Sequence, residues 1–223
     1  RKNNINVVIS DLNEENLKKA KNELKNIESD AIIKYLVCDV TKKSDIEQLI
    51  SYSKKAFNNI DIWINNAGVN QPEKAIWELT ENEIDLVIDV DLKGAIKSSK
   101  LVMEYMINNK IKGAIYNVEG YGSNDAKMLG LSIYGTSKRA VTYFTEALAK
   151  ECEEKVTGII VGKLSPGIMI TDFIVNALGD KEKIELSEKT KKVYNILGDY
   201  PDVVANFLVN KMLVNDKNNV RIE

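Results

Sequence analysis

Five short segments of this chain, apolar at nearly every position, alternate with segments whose apolar residues recur at helical spacing, and few folds accept that order. The continuous runs are INVVIS (5–10), AIIKYLVCDV (31–40), IDIWINNAG (60–68), KGAIYNV (112–118) and VTGIIVGKLSPG (156–167). Helical repeats fill the intervals at 14–27, from Thr41 to Phe57 with Thr41 and Ser44 as candidate caps, at about 81–108, and at 133–153. A strand apolar on both faces must be covered on both faces, which is the condition of a parallel sheet between helix layers. The expectation is a Rossmann-type doubly wound parallel sheet, three-layer α/β/α, forming one domain over residues 1–223. At 44% hydrophobic residues, the length suffices for a single sizeable core. Past Ile170 the helical segments become more polar, 201–214 reads as a last amphipathic helix, and NNVRIE at the end reads as an edge strand.

In such sheets the ligand lies at the carboxyl ends of the strands. Asp11, Asp39, Asn65 to Gly68, the bend at 119–124 and Pro166-Gly167 all fall there. A nucleotide-binding sheet of this kind normally opens with a strand, a glycine-rich loop and a helix whose N-terminus holds the pyrophosphate. The residues here open just before a strand without such a loop, so the first strand and phosphate loop are expected to belong to a longer polypeptide.

The absence of histidine removes Ser/His and Cys/His nucleophiles and the usual zinc-hydrolase ligand sets, and no metal site is expected. Cys38 and Cys152 lie far apart in apolar or amphipathic stretches and read as buried thiols. The 31 basic and 33 acidic residues are interspersed, which gives no basic face for nucleic acid. No apolar run has membrane-spanning length and no basic-then-apolar leader is present, so the expectation is a cytoplasmic protein without a membrane partner.

Proton chemistry must then run through Tyr, Lys, Asp or Glu. Tyr134 and Lys138 stand four apart at the start of a helix and share one face. A cation beside a phenol favours phenolate and moves its pKa from about 10 toward neutrality, which makes a general acid/base without histidine.

Taken together, Asp39, NNAG (65–68), Tyr134-x-x-x-Lys138 and SPGIMIT (165–171) resemble the short-chain dehydrogenase/reductase family over nearly the whole chain. Within it, WINNAGVN (63–70), NVEGYGS (117–123) and LSPGIMITD (164–172) are most similar to the chlorophyll b reductase branch. The resemblance implies that Tyr134 exchanges a proton with the substrate oxygen while hydride moves to or from a nicotinamide ring. It implies that Lys138 lowers the Tyr134 pKa and holds the nicotinamide ribose. The family's substrate-orienting serine falls three residues after the asparagine of this strand, and counting from Asn117 gives Gly120; Ser123 or Tyr121 would have to serve instead. Asp91 stands where the family usually has an asparagine that holds a proton-relaying water. Asp39 and Val40 match the adenine contacts, Asn66, Ala67 and Gly68 the turn at the adenosine ribose, Pro166, Gly167 and Ile168 the wall beside the carboxamide, and Thr171 the hydroxyl that reaches it. Asp11, at the end of the first visible strand, suits both ribose hydroxyls and repels a 2′-phosphate, so NAD is expected, with NADP the other possibility.

The function implied is an NAD(P)-dependent oxidoreductase acting on a small carbonyl or alcohol substrate, with 170–200 as substrate loop and lid and DFIVNAL and KVYNIL as its apolar stretches. The composition gives no reason to expect a photosynthetic setting. A homodimer or homotetramer built on the helices at 81–108 and 133–153 is also implied. The other reading is a non-catalytic NAD(P)-binding sensor or scaffold, supported by the missing serine, Asp91 and the absent phosphate loop.

Overall fold

The computed structural model describes residues 3–169 and 198–223. The strands are β1 (Val7–Asp11), β2 (Ile33–Val37), β3 (Ile62–Asn65), β4 (Ala114–Val118), β5 (Ile160–Leu164), β6 (Ile168–Met169), β7 (Gly198–Asp199) and β8 (Arg221–Ile222). The helices are α1 (Glu14–Lys25), α2 (Lys43–Phe57), α3 (Glu81–Val87), α4 (Ala95–Asn108), α5 (Ser132–Glu154) and α6 (Pro201–Leu213).

Every pairing is parallel, as the unbroken apolar runs require. The order β3-β4-β5-β8 sets Asn65 opposite Asn117 and Val118 opposite Leu164, so the strands end on a common rim. Among the described residues β1 pairs only with β2, and β3 only with β4. Side chains alternate across a strand, and β4 shows the two cores this creates. Ile115 joins α2, α4 and α5 through Ile46, Leu49, Val102, Met106 and Ala149, whereas Ala114 and Tyr116 join Met212 of α6. Cys38 and Cys152 are both buried free thiols in the first core.

Two local features differ from the sequence expectations. The stretch 81–108 is not one regular helix: Ile88–Gly94 is a π-helical turn between α3 and α4. A π turn inserts one extra residue and re-aims the side chains around it, a feature frequent at functional sites. The helix expected to be capped by Thr41 or Ser44 starts after Lys42 without a side-chain cap. The Thr41 hydroxyl instead donates to Asp39 Oδ1 at 2.7 Å, and that of Ser44 to Asp45 Oδ1 at 3.1 Å. No helix among the described residues is long and apolar enough to cross a membrane.

Candidate active site

A cleft of about 690 Å³ opens between the edges of β1 and β3 that are unpaired among the described residues, and reaches the carboxyl rim. Asp11 and Leu12 border it on one side, Asp39 and Val40 at the end of β2, Asn66, Ala67 and Gly68 on the β3 side, and Pro166 after β5. The fold thus gathers most of the residues expected to hold the nucleotide. Gly167 follows Pro166 at φ +68, a left-handed conformation that suits glycine, and leads into Ile168 of β6. Thr171 lies outside the described residues, as does nearly all of the expected lid at 170–200.

Local chemistry fixes this rim. Asp11 Oδ1 accepts from Asn13 N at 2.7 Å, and Asn13 Oδ1 caps α1 by accepting from Glu15 N and Asn16 N at 2.8 and 3.2 Å. The Thr41 hydroxyl on Asp39 holds that carboxyl below its ordinary pKa, so Asp39 is ionised where it borders the cleft. The turn after β3 is anchored from below: Asn65 Nδ2 donates to Asn117 Oδ1 (2.7 Å) and Ser99 Oγ (2.9 Å), and Asn117 Nδ2 donates to Thr145 Oγ1 (2.8 Å). This buried chain joins β3, β4, α4 and α5. It holds Asn66 to Gly68 in place relative to α5.

Behind Gly68 lie Tyr134 and Lys138, 6% and 5% exposed. A Cβ on Gly68 would stand 3.3 Å from Lys138 Nζ and 3.6 Å from Asp91 Oδ1, so the glycine is a thin wall between the cleft and the Lys138–Asp91 pair. Lys138 Nζ lies 5.7 Å from the centre of the Tyr134 ring and 3.5 Å from Asp91 Oδ2. Asp91, in the π turn, is 1% exposed; its Oδ1 accepts from Val69 N at 2.7 Å. Burial raises the Asp91 carboxyl above its usual value and the Lys138 ammonium opposes that rise. Burial, and then the Asp91 charge, push the Tyr134 phenol up, opposite to the lowering expected from Lys138 alone.

Gly120 explains the empty serine position. A Cβ there would overlap the Tyr134 hydroxyl and come within 3.2 Å of Lys138 Cε. Ser123 is 3% exposed, and its hydroxyl faces backbone on both counts: it donates to Lys138 O at 3.3 Å and accepts from Gly120 N at 3.2 Å. Tyr121 is 44% exposed.

Two supporting groups carry no motif. Gln71, fully buried, accepts from Ile133 N at 2.7 Å and Tyr134 N at 2.9 Å through Oε1, while Nε2 donates to Gly130 O at 2.6 Å. It caps α5 from about sixty residues away, because Leu131 at the N-cap has no side-chain acceptor. Glu119, 3% exposed, accepts from Thr142 Oγ1 at 2.7 Å and lies 2.7 Å from Arg221 Nε, tying the end of β4 to α5 and β8. The one sequence signal for Gln71 is the apolar residue at the α5 N-cap, which requires an acceptor from elsewhere.

The family profile of the short chain dehydrogenases matches residues 1–182. A probable chloroplastic chlorophyll(ide) b reductase of Arabidopsis thaliana is 31% identical over 186 residues, 83% of this chain and 36% of that protein. A second chlorophyll(ide) b reductase from the same plant is 32% identical over 174 residues, 77% of this chain and 48% of its own. The chain therefore spans less than half the length of these two relatives. A crystal structure of a short chain dehydrogenase from Bacillus anthracis superposes with a TM-score of 0.81 at 28% identity, covering 99% of this chain and 85% of that one. With its parallel sheet between helix layers shared at that level and most of its length matched by the profile, the chain belongs to the short-chain dehydrogenase family of oxidoreductases.

Proposed function

We propose that the chain interconverts an alcohol and a carbonyl on a small molecule, with NAD as the redox partner and Tyr134 as the group that exchanges a proton with the substrate oxygen. The observation that carries this reading is the Tyr134/Lys138 pair, buried behind Gly68 at the edge of a cleft bordered by Asp11, Asp39, Val40, Asn66, Ala67 and Pro166. The cleft suits a dinucleotide: Gly68 allows close approach of backbone to a ligand, and Asp11 stands at the end of β1, where a carboxylate favours free ribose hydroxyls. No lysine or arginine is among the described residues that line the cleft, which favours NAD over NADP. Gly167, Ile168 and Thr171 follow Pro166 and would complete the wall beside the nicotinamide.

A bound nicotinamide nucleotide supplies or accepts the hydride. The protein's own part is to orient the reacting carbon and to hold the proton at Tyr134 Oη, with Lys138 and Asp91 setting its charge environment. Ser123, with both its hydrogen bonds on backbone, shapes the 119–123 bend that carries Gly120. We further propose pairing of chains through α3 to α5, where Leu86 and Tyr143 are 53% and 75% exposed.

The raised Tyr134 phenol and the engaged Ser123 hydroxyl also favour a second reading, a protein that binds the dinucleotide without turning over substrate. Fluorescence titration with NADH and NADPH, together with turnover on a panel of ketones, aldehydes and a formyl-bearing pigment, separates the two. The expected outcome is tighter binding of NADH and a loss of turnover in Tyr134→Phe of about a hundredfold or more. Binding without turnover would favour the second reading, and no binding of either nucleotide to the full natural protein would remove both.

A further inference from the structure

The cation that would draw the proton off Tyr134 has a closer partner. Lys138 Nζ lies 3.5 Å from Asp91 Oδ2 but 5.7 Å from the Tyr134 ring centre, and the paired side chains are 6% and 0% exposed. The Val69 N–H fixes Asp91 Oδ1, while Oδ2 faces the ammonium, and the Ser137 hydroxyl adds a weaker stabilisation of the carboxylate. An isolated carboxylate away from water is strongly disfavoured, and a buried pair holds together for that reason. Gly68 roofs the pair, its Cβ position 3.3 to 3.7 Å from Lys138 Nζ and both Asp91 oxygens.

Among the described residues, few other charges bear on this trio. The π turn contributes Asp91, while Asp89 is turned outward in an ion pair with Lys93. The 66–71 turn presents backbone and the neutral Gln71; the 119–123 bend presents Gly120 and Ser123, while Glu119 is bound to Thr142 and Arg221. On α5 the charged neighbour is Lys138 itself.

Resting on the proposed oxidoreductase function, we propose that Asp91 neutralises Lys138 and so holds the Tyr134 hydroxyl as a protonated phenol, the form that gives its proton to a carbonyl oxygen. In that direction the carbonyl carbon gains a hydride from the reduced nicotinamide nucleotide and the oxygen gains the Tyr134 proton. The alcohol leaves, and Tyr134 is reprotonated from water. Alcohol oxidation needs the same residue as phenolate, a form the ion pair keeps scarce. Asp91 is a positioning residue in this scheme: it touches neither substrate nor cofactor and acts through Lys138 and Tyr134.

Asp91→Asn tests the proposal because the amide oxygen can still accept from Val69 N while the charge is lost. Tyrosinate ultraviolet absorbance is titrated for the parent chain and for Asp91→Asn, each with and without Tyr134→Phe, so that the difference isolates Tyr134. The expected result is a Tyr134 titration above the ordinary tyrosine value of about 10 in the parent and lower by about one pH unit or more in Asp91→Asn. Asp91→Glu, which keeps the charge, should restore the parent value. The acid limb of the pH profile of alcohol oxidation should move down by the same amount in Asp91→Asn, and carbonyl reduction, tied to oxidation by the equilibrium constant, should follow it at each pH. An unchanged Tyr134 titration in a folded Asp91→Asn chain overturns the proposal, whether or not any turnover is found. A shifted titration without turnover would keep the charge coupling and remove the oxidoreductase reading.

Discussion

Gly120 occupies the position where the family's serine is expected, and the reason is steric. Any Cβ there meets the Tyr134 hydroxyl and approaches Lys138 Cε. The Tyr134 ring is itself buried, so it cannot yield by swinging a free end into water. Gly120→Ser should therefore not restore an ordinary active site. We expect it to destabilise the chain by about 1–3 kcal/mol, the usual effect of overpacking, and to lower turnover by displacing Tyr134. Thermal unfolding and steady-state kinetics check both effects, and a serine variant as stable and as active as its parent would show that Tyr134 adopts another rotamer. The vacancy at 120 was readable by counting from Asn117, and so was the candidacy of Ser123. What fills the space was not, because it depends on the rotamer of a tyrosine fourteen residues on and on the packing that holds it.

Helix α5 illustrates the same division on a larger element. Its apolar repeat places it at 133–153, and the structure has Ser132–Glu154. The start is held by Gln71 rather than by a residue of its own, so the N-terminal turn that carries Tyr134 depends on the loop after β3. Gln71→Ala strands two buried-side N–H groups and the Gly130 carbonyl. We expect a stability loss of about 2 kcal/mol, as for the loss of a good cap with its partners left unmet, read as a lower denaturation midpoint at unchanged slope. Gln71→Glu keeps the acceptor and should recover part of the loss; equal stability of the Ala variant would mean that water replaces the amide. Periodicity cannot reveal this contact, since the two partners are remote in sequence. Nor does it reveal the π turn at Ile88–Gly94: one extra residue within 28 of helical pattern leaves the apolar repeat almost intact, yet that turn is what carries Asp91.

For the whole molecule, the parallel sheet was legible because fully apolar strands permit little else, and the rim followed from strand polarity alone. The sheet is nonetheless divided. Among the described residues, β1 and β3 present unpaired edges to a common cleft, lined along β1 by Val7 to Asp11 and along β3 by Trp63 to Asn65. Unpaired backbone groups on a sheet edge recruit another strand. Strands on both sides run parallel with their partners, so a strand seated between them would run the same way and reach β1 by a crossover of a dozen or more residues, usually a helix. A glycine-rich turn at the end of that strand would lie on the same carboxyl rim as Asp11 and Gly68, where a helix N-terminus meets a pyrophosphate. We therefore expect a polypeptide that carries such a strand, turn and helix ahead of Arg1 to bind NADH at least about tenfold more tightly than the 223 residues alone, that is, by about 1.4 kcal/mol. Its amides along β1 and β3 should also exchange more slowly with solvent, since both edges would then be paired. Hydrogen exchange on the two polypeptides, beside the binding titration, checks this: equal protection of Val7–Asp11 and Ile62–Asn65 with equal affinity would mean that the cleft is open in the working protein and that the nucleotide is held by the rim alone.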